Sequence, residues 1–114
     1  MIIEDTIGLP DTIKILHKDF NLRERSFSES FGNARLAEID FMKNEINFIP
    51  IEGSETVDSI IHEMLHGLFA MFDINASMSM EDEEHIVSAL ATGITTVMRD
   101  NPDLFYALQD MLDD

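Results

Sequence analysis

The stretch from Val57 to Phe72 constrains the fold of this chain more than any other. Apolar residues recur there every three or four positions, the period of one face of an α-helix, through about five turns. Ser54, just ahead of the stretch, is a suitable residue to cap such a helix. The apolar positions of the predicted helix are Val57, Ile60, Ile61, Met64, Leu65, Leu68, Phe69 and Phe72.

Two of the four histidines of the chain interrupt this apolar pattern. Residues 62–66 read His-Glu-Met-Leu-His, and two histidines four positions apart on a helix project from the same side, where they can bind one metal ion. Zinc suits two imidazoles and a carboxylate, with the fourth position left to water. Glu63 points to a different side of the helix than His62 and His66, so we expect it to act as the general base on a zinc-activated water.

The residues before this helix predict a small β-sheet. Residues 12–22 alternate between apolar and polar and predict one half-buried strand. Residues 35–42 and 45–51 predict a hairpin that turns at Lys43-Asn44. Pro50 favours an edge or terminal position in the second strand, which we expect to hold a substrate by backbone pairing. The sheet is therefore expected to be antiparallel, with about three strands.

Two further helices are predicted after the first. Ser79 followed by Asp82 resembles a capping box, and the apolar stripe of the helix that follows centres near Leu90 and Ile94. Asn101-Pro102 is a start signal for a short closing helix. Strands followed by helices indicate an α+β fold.

Length and composition restrict the class of protein. A chain of 114 residues fits one domain, residues 1–114, and its 45% of hydrophobic residues suffice for a core. The 23 acidic and 7 basic residues give a net charge of −16, which excludes ordinary binding to nucleic acids or anionic membranes. The absence of cysteine excludes disulfides and thiolate metal sites. No signal peptide or bilayer-spanning run is visible, so we expect a soluble cytoplasmic protein.

A third protein ligand for the metal is expected from the second helix. Its first turns carry Glu83, Glu84 and His85. Counting about 100° per residue places Glu83 near the centre of the apolar stripe, Glu84 on its flank and His85 largely opposite. Periodicity therefore favours the two glutamates without deciding between them. Capping and solvation alone also explain acidic residues in this position, since carboxylates are favourable at a helix N-terminus.

The order of these elements resembles small phage-encoded zincin-like proteins. More distantly, it is similar to the metallopeptidase domain of the ImmA/IrrE group, which cleaves repressors or regulators. The similarity covers about residues 12–102, with its sharp motifs confined to residues 62–66 and the following helix. In that group the second helix supplies a metal-binding glutamate ahead of a small-apolar stretch, which corresponds here to Leu90-Ala91. The resemblance therefore implies that Glu84 is the third ligand.

Three functions are compatible with these features. The first is a zinc-dependent peptidase that acts on a protein or peptide, with His62, His66 and Glu84 as ligands and Glu63 as general base. The second is a non-catalytic zinc-binding module whose acidic face docks on a basic protein surface, which the net charge of −16 favours. The third is a metal-free structural domain in which the motif is only part of an amphipathic helix.

Overall fold

A mixed β-sheet and three helices form the α+β fold that the sequence predicts. The computed structural model describes residues 8–26, 36–51 and 53–113. Helix α1 lies against the sheet, α2 packs on α1, and α3 contacts α2. The elements are β1 (Thr12–Ile15), β2 (Lys18–Glu24), β3 (Ala37–Asp40), β4 (Glu45–Phe48), α1 (Gly53–Met71), a short 3-10 helix (Ile74–Ser77), α2 (Met80–Asp100) and α3 (Pro102–Leu112).

The sheet has four strands in the order β1-β2-β4-β3, which corrects the expectation of about three antiparallel strands. Each of the pairs β1/β2 and β3/β4 is antiparallel, but β2 and β4 are parallel. The predicted strand over 12–22 is in fact a hairpin, with Leu16 at φ 56° in its two-residue turn. The buried positions change from odd (Ile15) to even (Phe20) across this turn. That change of phase is the sequence signal of the turn.

The predicted hairpin of β3 and β4 is confirmed, but its second strand does not lie at an edge of the sheet. Its turn includes Asn44 at φ 56°, a left-handed conformation that asparagine tolerates. Strand β4 pairs with β2 on one side and β3 on the other, so it is an interior strand and its backbone is already bonded. The expectation that residues 45–51 hold a substrate by backbone pairing is therefore wrong. Among the described strands, β1 and β3 lie at the two edges of the sheet, and β3 contacts α1.

Helix α1 covers the sheet with its apolar face. Met64, Leu68 and Met71 pack on a buried cluster of Ile15, Phe20 and Ile46, and Ile60 is buried with Ala37 and Phe48. The helix begins at Gly53, so Ser54 lies in its first turn and is not the cap. Gly67 allows a close approach: a Cβ there would lie 3.1 Å from Ile15 Cδ1 and 3.2 Å from Ile39 Cδ1. The motif helix is thus held tightly to the sheet directly beside His66.

Helix α2 packs on α1 with a face that differs from the predicted one. Ser79 caps it as expected, since its Oγ accepts from the Asp82 N–H at 3.0 Å. The buried positions are Val87, Ala91 and Thr95, whereas Leu90 and Ile94, the expected centre of the stripe, are 43% and 37% exposed. With this face buried, Glu83 and Glu84 in the first turns of α2 contact the two histidines of α1.

Helix α3 starts at Pro102, as predicted. Asn101 occupies the cap position but makes no capping bond, and its Nδ2 donates instead to the Val97 carbonyl near the end of α2. Among the described helices, none combines the length and apolar character that crossing a membrane requires.

Candidate metal centre

Helix α1 brings His62, Glu63 and His66 together in a group that could hold a metal ion. One ligand atom from each residue lies within 4.8 Å of the others. The two histidine Nε2 atoms are 3.1 Å apart, and their side chains are only 18% and 17% exposed. The helical spacing of four residues produces this approach, as the sequence predicts.

Helix α2 places Glu84 against both histidines. Its Oε1 lies 2.7 Å from His62 Nε2 and its Oε2 lies 3.0 Å from His66 Nε2. Glu63, by comparison, approaches His62 Nε2 only to 4.0 Å. Of the two carboxylates, Glu84 therefore lies closer to the Nε2 atoms than Glu63 does. Ser88, which sequence reasoning did not assign to the site, donates to Glu84 Oε1 at 3.4 Å.

Glu83 contacts the opposite side of the His66 ring. Its Oε2 lies 2.6 Å from His66 Nδ1, and its side chain is 14% exposed. Such a carboxylate on the second nitrogen of an imidazole fixes the tautomer and the ring orientation that a metal ligand needs. His85 is exposed and takes no part in the contacts of this cluster within the described residues. The role of Glu84 as third ligand stays a prediction, and its oxygens lie 2.7 and 3.0 Å from the two histidine Nε2 atoms.

No placement of protons removes every close contact between two donors or two acceptors in this cluster. A neutral imidazole has one N–H and one lone pair, so His66, with Nδ1–H donated to Glu83, presents a lone pair at Nε2. That lone pair faces an oxygen of ionised Glu84 at 3.0 Å. If His66 also carries a proton on Nε2, two arrangements remain. Either His62 Nε2 carries a proton too, and two N–H groups lie 3.1 Å apart, or His62 Nε2 has a lone pair that faces Glu84 at 2.7 Å. Every assignment with an ionised Glu84 leaves one repulsive contact.

A divalent cation removes this conflict, because both Nε2 atoms and the carboxylate can direct lone pairs at it. For zinc bonds to nitrogen and oxygen, tetrahedral ligand atoms lie about 3.3 Å apart. The contacts here are 2.7, 3.0 and 3.1 Å and involve both Glu84 oxygens, so the three side chains would open by a few tenths of an ångström around such an ion. The donor set of the site therefore fits a bound metal.

Glu63 connects the motif helix to the edge of the sheet. Its Oε1 accepts a hydrogen bond of 2.9 Å from the backbone N–H of Ile39 in β3. Burial raises the pKa of Glu63 above its usual value, against the lowering effect of His62, His66 and this backbone bond. A raised pKa suits a carboxylate that has to accept and release a proton. The contact with Ile39 depends on the order of the strands, and no local pattern in the sequence predicts it.

The pKa of Glu84 moves in the other direction. Partial desolvation acts to raise it, but the neighbouring His62 and His66, with hydrogen bonds from His66 and Ser88, lower it below the ordinary value. The two glutamates near the histidines therefore differ: Glu84 is held as an anion close to both rings, and Glu63 is held nearer to neutrality. A lowered pKa suits a carboxylate that binds a metal ion, and a raised pKa suits one that carries a proton.

A cleft of about 930 Å³ opens over the metal centre. Its lining residues come from β3 and its flanks, α1, the 3-10 helix and the start of α2. His17 lies in the β1–β2 turn and Tyr106 lies on exposed α3, and neither lines this cleft. Its lining residues are Leu36, Ala37, Glu38, Ile39, Phe41, Glu55, Asp58, Ser59, His62, Glu63, His66, Ala70, Asn75, Met80, Glu81, Glu83 and Glu84.

Comparison with known proteins adds no relative from which a role could be taken. The chain matches no protein-family model, no curated protein and no solved structure. The site is therefore interpreted from its own residues.

Proposed function

We propose that the protein is a zinc-dependent metallopeptidase of the zincin-like type. In this proposal His62, His66 and Glu84 hold the zinc ion, and Glu63 is the general base. The observation that carries the proposal is the position of Glu84, whose two oxygens approach both Nε2 atoms while Glu83 occupies His66 Nδ1. The resemblance to phage zincin-like proteins and to the ImmA/IrrE metallopeptidase domain supports the same conclusion.

Zinc is the metal that this donor set favours. Two imidazole nitrogens and one carboxylate form a set of three protein ligands, and catalytic zinc sites with such sets keep a fourth position for water or substrate. Calcium and magnesium prefer sites built from oxygen alone. The absence of cysteine removes the sulfur ligands that would favour a closed structural site.

Peptide hydrolysis assigns a distinct task to each group of the site. When bound, the zinc ion polarises the peptide carbonyl and acidifies water. Glu63 takes a proton from the attacking water while the water oxygen bonds to the carbonyl carbon. When the C–N bond breaks, Glu63 delivers that proton to the departing amine. Glu83 holds the His66 ring in place through Nδ1.

Strand β3 supports this function as the edge along which a peptide could extend. Among the described strands it pairs with β4 alone, and its Ile39 N–H donates to Glu63. An extended peptide that adds to an exposed strand gains backbone hydrogen bonds while its side chains enter the flanking pockets. We propose that β3, not β4, aligns the substrate.

The substitution Glu63→Gln tests the proposed chemistry. Glutamine keeps an oxygen that can accept from Ile39 N–H but cannot carry the proton, so zinc content should be retained and hydrolysis of an unstructured peptide mixture should be lost. The measurements are zinc per chain by elemental analysis and cleavage by mass spectrometry. Asp103→Asn on α3 is the control for the change of charge. Equal cleavage by wild-type protein and Glu63→Gln would show that the base is assigned wrongly.

A second candidate is a non-catalytic zinc module that docks on a basic protein surface. The net charge of −16 and the acidic cleft favour it. A charge-driven partner should dissociate between low and moderate ionic strength. Zinc binding without hydrolysis, together with salt-sensitive capture of a basic protein, would favour this candidate over the peptidase.

A further inference from the structure

The walls of the cleft carry more carboxylates than the metal centre uses. Glu63, Glu83 and Glu84 belong to the centre, where three carboxylates already exceed the charge of a divalent ion. Four others line the cleft from three different elements, so they surround its opening instead of clustering at one helix end. These are Glu38 on β3, Glu55 and Asp58 on α1, and Glu81 on α2.

No cation of the protein compensates these four side chains in the part of the chain that the structure describes. None of the described residues that line the cleft is lysine or arginine. Arg23 and Arg25 pair with Glu45, and Arg99 pairs with Asp100; neither of these carboxylates lines the cleft. Asp58 accepts one hydrogen bond, from the neutral Thr92 hydroxyl at 2.9 Å. The described lining of the cleft therefore carries carboxylates in excess of basic side chains.

Helix stability explains only part of this arrangement. Glu55 and Glu81 lie in the first turns of α1 and α2, where the helix dipole favours carboxylates. Asp58 lies beyond the first turn, and Glu38 lies in a strand. Neither gains from a helix N-terminus, yet both face the same space.

We infer that the cleft takes a cationic peptide, with lysine or arginine side chains near the scissile bond. This inference rests on the proposed peptidase function and names its substrate class. Asp58 and Glu55 precede His62 by four and seven residues, which is about 6 and 10 Å along the helix axis. An extended peptide advances about 3.3 Å per residue. The basic side chains should therefore lie about two or three residues from the bond that is cut.

Matched peptides measure this preference. One extended sequence is made with lysine, with glutamine and with glutamate at the second and third positions on each side of its centre. Binding to zinc-loaded Glu63→Gln protein is measured by calorimetry, and cleavage by zinc-loaded wild-type protein is measured as kcat/KM. We expect the lysine peptide to exceed the glutamine peptide about three- to tenfold in both, with the ratio shrinking as salt is added. The glutamate peptide should be weakest.

Two double variants locate the preference in the cleft. Glu55→Gln with Asp58→Asn removes two carboxylates from its wall, while Asp103→Asn with Asp110→Asn removes two exposed ones from α3. The comparison is matched, because Glu55 and Asp103 both lie in the first turn of a helix. The preference for lysine should fall to near one in the first variant and persist in the second.

The outcomes separate this inference from the proposed function. If lysine and glutamine peptides bind equally, or if the preference survives Glu55→Gln/Asp58→Asn, the cationic substrate class is wrong even where peptides are cut. If wild-type protein cuts none of the peptides while the lysine peptide still binds preferentially in the cleft, the peptidase proposal fails and the preference for cations stands.

Discussion

Replacing Glu83 with glutamine should weaken zinc binding although Glu83 is not a proposed ligand. Its carboxylate accepts from His66 Nδ1 at 2.6 Å, and its side chain is only 14% exposed. A hydrogen bond to a charged group contributes about 1.5–3 kcal/mol, and one between neutral groups about 0.5–1.5 kcal/mol. Glutamine can still accept the bond, so the change should cost about 1–1.5 kcal/mol, which corresponds to roughly a tenfold weaker Kd.

Competition with a chromophoric chelator measures this effect. Purified protein is titrated with zinc in the presence of the chelator, for wild type, Glu83→Gln, Glu84→Gln and Glu81→Gln. Glu81 is the matched control, because it loses the same charge from the same first turn of α2 without contacting a histidine. Glu84→Gln should lose the most affinity, Glu83→Gln an intermediate amount, and Glu81→Gln little.

The order of these affinities decides the assignment. Equal losses for Glu83→Gln and Glu81→Gln would mean that general charge, not the bond to Nδ1, matters at this position. A larger loss for Glu83→Gln than for Glu84→Gln would make Glu83 the ligand and refute the reasoning from the two sides of the ring.

Three further outcomes are expected. In metal-free protein, Glu63→Gln should raise the free energy of unfolding at neutral pH, because burial raises the pKa of Glu63 and the ionised form is disfavoured in the fold. The stability of the wild type relative to this variant falls as pH rises through that raised pKa, so the gain should vanish in urea titrations below about pH 4.3, where the group is protonated in both states. Gly93→Ala should stabilise the protein by about 0.5–1 kcal/mol, since nothing lies within 4 Å of the added Cβ. Gly67→Ala should stabilise it less, because the added Cβ meets Ile15 and Ile39. Thermal melts that rank the two variants the other way would contradict the packing described. Zinc at a hundredfold excess over its Kd should stabilise wild-type protein by about 2.7 kcal/mol and raise its Tm by roughly 10 °C, and an equal rise in His62→Ala would place the zinc elsewhere.

The core of the site follows from local sequence because one helix contains it. The apolar period predicts the helix, and the spacing of His62 and His66 then requires their rings to meet on one side. The cap at Ser79 is likewise a local signal, and the structure confirms it.

The parts that the sequence did not predict depend on contacts between distant segments. No local pattern in the β2 and β4 segments specifies that they pair in parallel. The edge position of β3 and the hydrogen bond from Ile39 to Glu63 therefore could not be predicted from the sequence. The most apolar residues of α2 predict its orientation, but the structure buries Val87, Ala91 and Thr95 instead, an outcome that depends on packing between distant segments.

Crystals of the zinc-loaded protein, measured at the zinc absorption edge, test the central claim most directly. The account predicts one strong anomalous peak about 2.0–2.2 Å from His62 Nε2, His66 Nε2 and a Glu84 oxygen. A peak bound by other residues, or no peak between the two imidazoles, would contradict it.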